Sequence, residues 1–186
     1  MKKIVLLALT AIGFLSISCK EEKKDENTEN KKAPVKENFY VEITAQAAKK
    51  DDFAVYYTED GTIEFKPEKA LWRGIAANKE ETMVIDFPAD IIPTHIRLDL
   101  GLNKEQDSVT ISKIKIGYLD NAIEIKGSQF FDYFVIDNQF KTTVDPSKAT
   151  ITFIKNGTEY KTPYYYPRQE LVNKIKQITA GLKATN

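Results

Sequence analysis

The chain has 186 residues, 27 basic and 27 acidic side chains, one histidine and one cysteine. Balanced charge without a basic stripe excludes a nucleic-acid-binding surface of the usual kind. A single cysteine excludes an internal disulfide, and a single histidine excludes a histidine-based metal cluster or a Cys-His dyad within the fold.

The N-terminus carries Lys2 and Lys3, an apolar run from Ile4 to Ile17, then Ser18 and Cys19. This is the charged, apolar and small-residue order of an export signal, residues 1–18, and the run is too short to span a bilayer, which takes about 20 apolar residues. Removing Lys2 and Lys3 with the signal leaves 25 basic against 27 acidic residues, a slightly acidic mature chain. A small residue before cysteine at the end of the apolar run resembles the lipobox of bacterial lipoproteins, although Ser16 stands where leucine is commonest. The resemblance implies acylation at Cys19, palmitate among the chains, and a lipid anchor in the bacterial outer membrane; the alternative is an ordinary secreted protein with a stray thiol.

From Lys20 to Asn38 the sequence is dense in charge of both signs, with no aromatic residue and a single valine. Such a segment buries too little apolar surface to offset ordering and reads as a tether, residues 19–38 with the cysteine. Its nineteen residues reach ~60 Å fully extended and roughly 25 Å as a coil. Lys20, Glu21 and Glu22 resemble the lysine-plus-acidic address that sends Bacteroidetes lipoproteins to the outer cell surface; without that address the domain faces the periplasm.

Residues 39–186 form one predicted domain, long enough to bury a core without disulfides. The runs FYVEITAQA, FAVYYTED, TIEFKP, ETMVIDFP, HIRLDLGL, SVTISKIKIGY, AIEIKG and ATITFIKNGTEYKT are short, rich in β-branched and aromatic residues, and bounded by turn formers. Asp60-Gly61 and Asn156-Gly157 are hairpin dipeptides, suited to turns with positive φ at the central positions. The fold class expected is all-β, an antiparallel sandwich or jelly roll. Ser128–Phe140 reads as a partly helical connection. PRQELVNKIKQITAG opens with Pro167, aligns Leu171, Val172, Ile175 and Ile178 on one face and closes at Gly181, predicting a helix that covers an end or edge of the sandwich or else meets a partner.

Arg97-x-Asp99-x-Gly101, followed by Ile111-x-x-Ile114-x-Ile116, resembles the core of jelly-roll domains in the galactose-binding-like and carbohydrate-binding-module superfamily. The aromatic tail YKTPYYYPRQEL is similar to endings of β-sandwich segments in Bacteroidetes surface proteins. The resemblance implies glycan binding without chemistry. From the residues themselves, alternation turns Ile96, Leu98 and Leu100 inward and His95, Arg97 and Asp99 outward. That polar face either hydrogen-bonds sugar hydroxyls or is solvated and internally paired.

Trp72 and the Tyr164-Tyr165-Tyr166 run sit in segments of turn or irregular character, where rings can face solvent and stack on sugar; Tyr165 opposes its two neighbours and is the ring expected there. Asp99, Asn103 and Asp107 offer hard oxygen ligands for Ca²⁺, without the spacing of an EF-hand; no other cofactor is expected. Asp107-Ser108-Val109 resembles the Asp-Ser/Thr-apolar acceptor for O-glycosylation in Bacteroidetes, or Ser108 is unmodified at a strand start. No pair of carboxylates is nominated for hydrolysis, and the chain is expected not to be an enzyme. Two functions remain: a lipid-anchored binding module for a glycan, or a structural accessory lipoprotein docking an envelope protein of an outer-membrane complex.

Overall fold

The computed structural model describes residues 36–136, 142–155, 160 and 162–180. Cys19, Lys20, Glu21 and Glu22, the Asn156-Gly157 turn and Gly181 lie outside these residues. In chain order the elements are β1 (Lys36–Ala47), β2 (Asp51–Thr58), β3 (Ala70–Ile75), β4 (Glu80–Asp86), β5 (His95–Leu100), β6 (Ser108–Leu119), β7 (Asn121–Lys126), α1 (Phe130–Tyr133), β8 (Phe134–Ile136), β9 (Thr142–Asp145), β10 (Thr150–Phe153), β11 (Tyr164–Pro167) and α2 (Gln169–Thr179). They build an antiparallel β-sandwich. The first sheet runs β4-β1-β6-β10-β9, with β7 also paired to β6, and the second runs β3-β2-β5-β11-β8.

Alternation explains the burial. In β1, Phe39, Val41, Ile43, Ala45 and Ala47 are buried, and in β5 so are Ile96, Leu98 and Leu100. The two inner faces meet with no cysteine between them, so cohesion rests on apolar area, at roughly 1.5–3 kcal/mol per fully buried large side chain. Phe87, just past β4, joins the layers: its ring lies 5.0 Å from Phe39 of the first sheet and 5.2 Å from Tyr57 of the second.

β6 changes parity midway. Val109 and Ile111 are buried, then Ile114, Ile116 and Tyr118. Thr44 pairs with Lys113 while its neighbour Ala45 pairs with Ile111, so Ser112 is an extra residue in the ladder. A β-bulge restores the apolar face after the odd step, which is why the sequence reads I-x-x-I-x-I.

The predicted strand TIEFKP is not one. Residues 62–66 are irregular and a 3₁₀ turn covers Pro67–Lys69. β2 pairs instead with β3, Tyr56 opposite Ala70 and Ala54 opposite Trp72. Asp60 does make a turn, accepting hydrogen bonds from the Thr62 backbone N–H at 3.0 Å and its hydroxyl at 2.8 Å. That side chain closes the turn locally, and the chain then runs on without pairing until Ala70. Gly61 sits there at φ +80°, a conformation that favours glycine.

Of the predicted connection Ser128–Phe140, the described part is a 3₁₀ turn, α1 and β8 in succession, and residues 137–140 lie outside the described residues. α2 buries Leu171, Ile175 and Ile178 against β6, β7, β11 and α1, so it covers the flank of the sandwich; Val172 is half-buried. Its start is fixed by Arg168, whose Nε donates to the Phe131 carbonyl at 2.8 Å. Among the described residues no helix is long and apolar enough to cross a membrane.

Candidate functional site

The outer face of the second sheet carries the site. β5 places His95, Arg97 and Asp99 on it, as alternation predicts, and β2 contributes Tyr56 directly opposite Arg97. β11 sets Tyr164 opposite Asp99, and β3 sets Trp72 opposite Ala54. Phe65 comes from the irregular loop before β3.

Arg97 and Asp99 close on each other. Nε donates to Oδ1 at 2.7 Å and one Nη to Oδ2 at 2.8 Å, a bidentate pair whose side chains are 13% and 7% exposed. Burial pushes the Asp99 carboxyl above its usual range, and the guanidinium pulls it back down. Burial acts against the charge of Arg97 in turn, but the Asp99 carboxylate outweighs it and holds the guanidinium above its ordinary value. The two groups form a charge-assisted bidentate pair whose opposite charges compensate each other where they lie.

Aromatic rings surround the cation. The Arg97 guanidinium carbon is 4.2 Å from the Tyr56 centroid, 4.6 Å from Tyr164, 5.3 Å from Phe65 and 5.9 Å from Tyr166. These are cation–π distances. The rings also touch one another: Tyr56 and Trp72 edge to face at 6.3 Å, Tyr164 and Tyr166 at 5.3 Å, Phe65 and Tyr166 at 5.9 Å. Ala54, beneath them, is buried although it points outward. The cluster is a second apolar layer outside the sandwich, with all five rings half-buried and therefore still partly open to solvent. Burial, followed by the nearby Asp99 carboxylate, raises the Tyr56 phenol against the opposing pull of Arg97, so the hydroxyl keeps its proton.

Of the residues singled out in the sequence, Trp72, Arg97 and Asp99 come together here. Trp72 does so from a regular strand, not from the irregular segment expected. His95 lies on the same face but at its margin, with Nδ1 3.1 Å from Thr94 Oγ1 and its pKa lowered by burial against the weaker pull of Asp60. Tyr165 does not join them. It is fully buried, pairs across β5 with Leu98 and packs edge-on against Phe130 at 5.4 Å, so no ligand on this face reaches its ring. The same alternation that removes Tyr165 delivers Tyr164 and Tyr166. The Tyr165 hydroxyl and Thr142 Oγ1 are buried without completing a hydrogen bond among the described residues.

The three oxygen side chains weighed for Ca²⁺ are turned elsewhere. Asp99 is held by Arg97, Asn103 donates to the Lys50 carbonyl at 2.9 Å, and Asp107 accepts from Lys155 at 2.6 Å. Among the described residues no group of three or more His, Cys, Asp or Glu side chains converges as a metal site. Ser108 is half-buried at the first position of β6, its carbonyl accepting from the Ala48 N–H at 2.9 Å.

Tyr56 and Phe65 are the residues sequence reading missed, while Tyr164 and Tyr166 are named in the tyrosine run but passed over for Tyr165. Tyr56 carries the same alternation signal as Arg97, lying between the buried Val55 and Tyr57. Phe65 carries none, because an irregular loop brings it over β5. No family model, curated protein or solved structure matches the chain.

Proposed function

We propose that the chain is a lipid-anchored cell-envelope binding module that holds a glycan on the outer face of its second sheet and does no chemistry there. One observation carries the glycan reading: five half-buried aromatic rings stand together over the outer face of one sheet, around a buried ion pair at their centre. Rings fixed in this way present apolar surface at low entropic cost, and the C–H faces of sugars are the complementary surface. The anchor reading rests on Cys19 after its apolar run.

A glycan array with the full chain tests the binding. Reproducible signal that Trp72→Ala abolishes supports it. Silence on the array together with co-purification of a large membrane protein would instead favour docking as an accessory subunit, for which half-exposed tyrosines and a tryptophan are equally suitable anchors. Membrane fractionation of Cys19→Ala tests the anchor: normal cleavage with unchanged retention in the membrane pellet would refute it.

A further inference from the structure

We infer that the ligand of this face is an uncharged polysaccharide lying across the strands of the second sheet, an inference that rests on the glycan reading above. Trp72, Tyr56, Tyr164, Tyr166 and the central cation occupy four adjacent strands in the order β3, β2, β5 and β11. With neighbouring strands about 4.8 Å apart, the row from Trp72 to Tyr164 spans roughly 14 Å. That length suits several linked rings in extension and is poorly used by a single sugar.

Charge decides the class. An acidic polysaccharide needs a cation that can leave its present partner, and Arg97 cannot without stranding Asp99. Both carboxylate oxygens accept from the guanidinium, the pair is almost fully covered, and rings lie against the guanidinium. Removing one member of such a pair leaves an uncompensated buried charge.

Among the described residues no other cation lies against the rings of the row. Lys69 is tied to Glu59 at 2.9 Å. Arg73, on the neighbouring position of β3, donates to the Val84 and Trp72 carbonyls at 3.0 and 2.9 Å. Asp52, outward on β2 beside Gly74, is exposed and acidic. Exposed Lys66 follows Phe65 at the margin. What the row itself offers is ring faces, phenolic hydroxyls and an indole N–H, groups suited to hydroxyl-rich neutral sugars.

The experiment is affinity electrophoresis of the full chain in detergent through gels containing hydroxyethyl cellulose, galactomannan, polygalacturonate or heparin, each at low and at high salt. Retardation by a neutral polymer, insensitive to salt, at least about tenfold weaker in Trp72→Ala and retained in Trp72→Phe, is the expected result; the phenylalanine variant keeps the fold and a ring. Salt-sensitive retardation by polygalacturonate or heparin alone that still depends on Trp72 would overturn the neutral class while leaving a glycan module. Retardation that Trp72→Ala leaves intact would move the ligand off this face. Retardation by none of the four would overturn both this inference and the reading beneath it.

Discussion

The two sheets of this sandwich turn the same alternating pattern inward and opposite chemistry outward. On the first sheet the outer face is a mosaic of short polar links: Thr44 with Thr82 at 2.8 Å, Thr110 with Thr150 at 2.9 Å, Lys113 with Glu124 at 3.5 Å. Among the described residues its one large ring, Tyr40, lies over Gly117 between Lys36 at 4.2 Å and Lys115 at 5.7 Å. On the second sheet, rings gather around a single ion pair. A charge that stays in water costs little and contributes little. A charge taken out of water must be matched, and once matched it supports a rigid apolar surface.

Removing charges should separate the two faces most. Arg97→Ala leaves the Asp99 carboxylate buried without its partner, an expected loss of about 3–5 kcal/mol in urea denaturation. Lys113→Ala breaks a solvent-exposed pair and should cost under about 1 kcal/mol. If the double variant Arg97→Met with Asp99→Leu recovers most of the loss, the pair acts by matching charge; equal losses for Arg97→Ala and Lys113→Ala would erase the distinction.

Gly117→Ala probes the single ring on the first sheet. An added methyl would overlap the Tyr40 ring, and displacing that ring should cost about 1–3 kcal/mol as overpacking does, with the ring's loss of cover visible in tyrosine fluorescence. An unchanged midpoint and unchanged emission would show that Tyr40 is not held by the glycine.

Thr82→Ala should be milder, about 0.2–1 kcal/mol for one cross-strand contact on an exposed face. A larger loss would mean the mosaic is cooperative, and the first face then resembles the second more closely than its exposure suggests.

The smallest effect expected is in pH. Burial lowers the pKa of His95 in the folded chain, so below the ordinary value of about 6.5 the unfolded chain binds a proton that the folded one resists. The stability tied to this group is therefore complete above that pH and is lost as pH falls through and below it. His95→Gln should flatten that part of the stability curve; an identical slope in the variant would remove His95 from the account.

Much of this was written in local pattern. HIRLDL alternates cleanly, so the inward leucines and the outward Arg97 and Asp99 follow from strand geometry, and the I-x-x-I-x-I step marks the bulge at Ser112. The tyrosine run shows where pattern stops. Three consecutive rings must alternate, but which phase faces the core is fixed by Tyr165 pairing with Leu98 on a strand 67 residues earlier, and no feature of YYYP encodes it. Trp72 and Phe65 fail differently. Asp60-Gly61 signals a turn, but partner choice passed over the adjacent TIEFK for ALWRGI, a competition decided by packing across the sheet.

β1 begins at Lys36 and is an interior strand, hydrogen-bonded to β4 on one side and to β6 on the other. Drawing β1 out along its own axis would therefore load both ladders together, in shear, whereas a terminal edge strand pulled sideways opens one bond at a time. Entry through a strand bonded on both sides makes the start of the domain resistant to tension applied along β1.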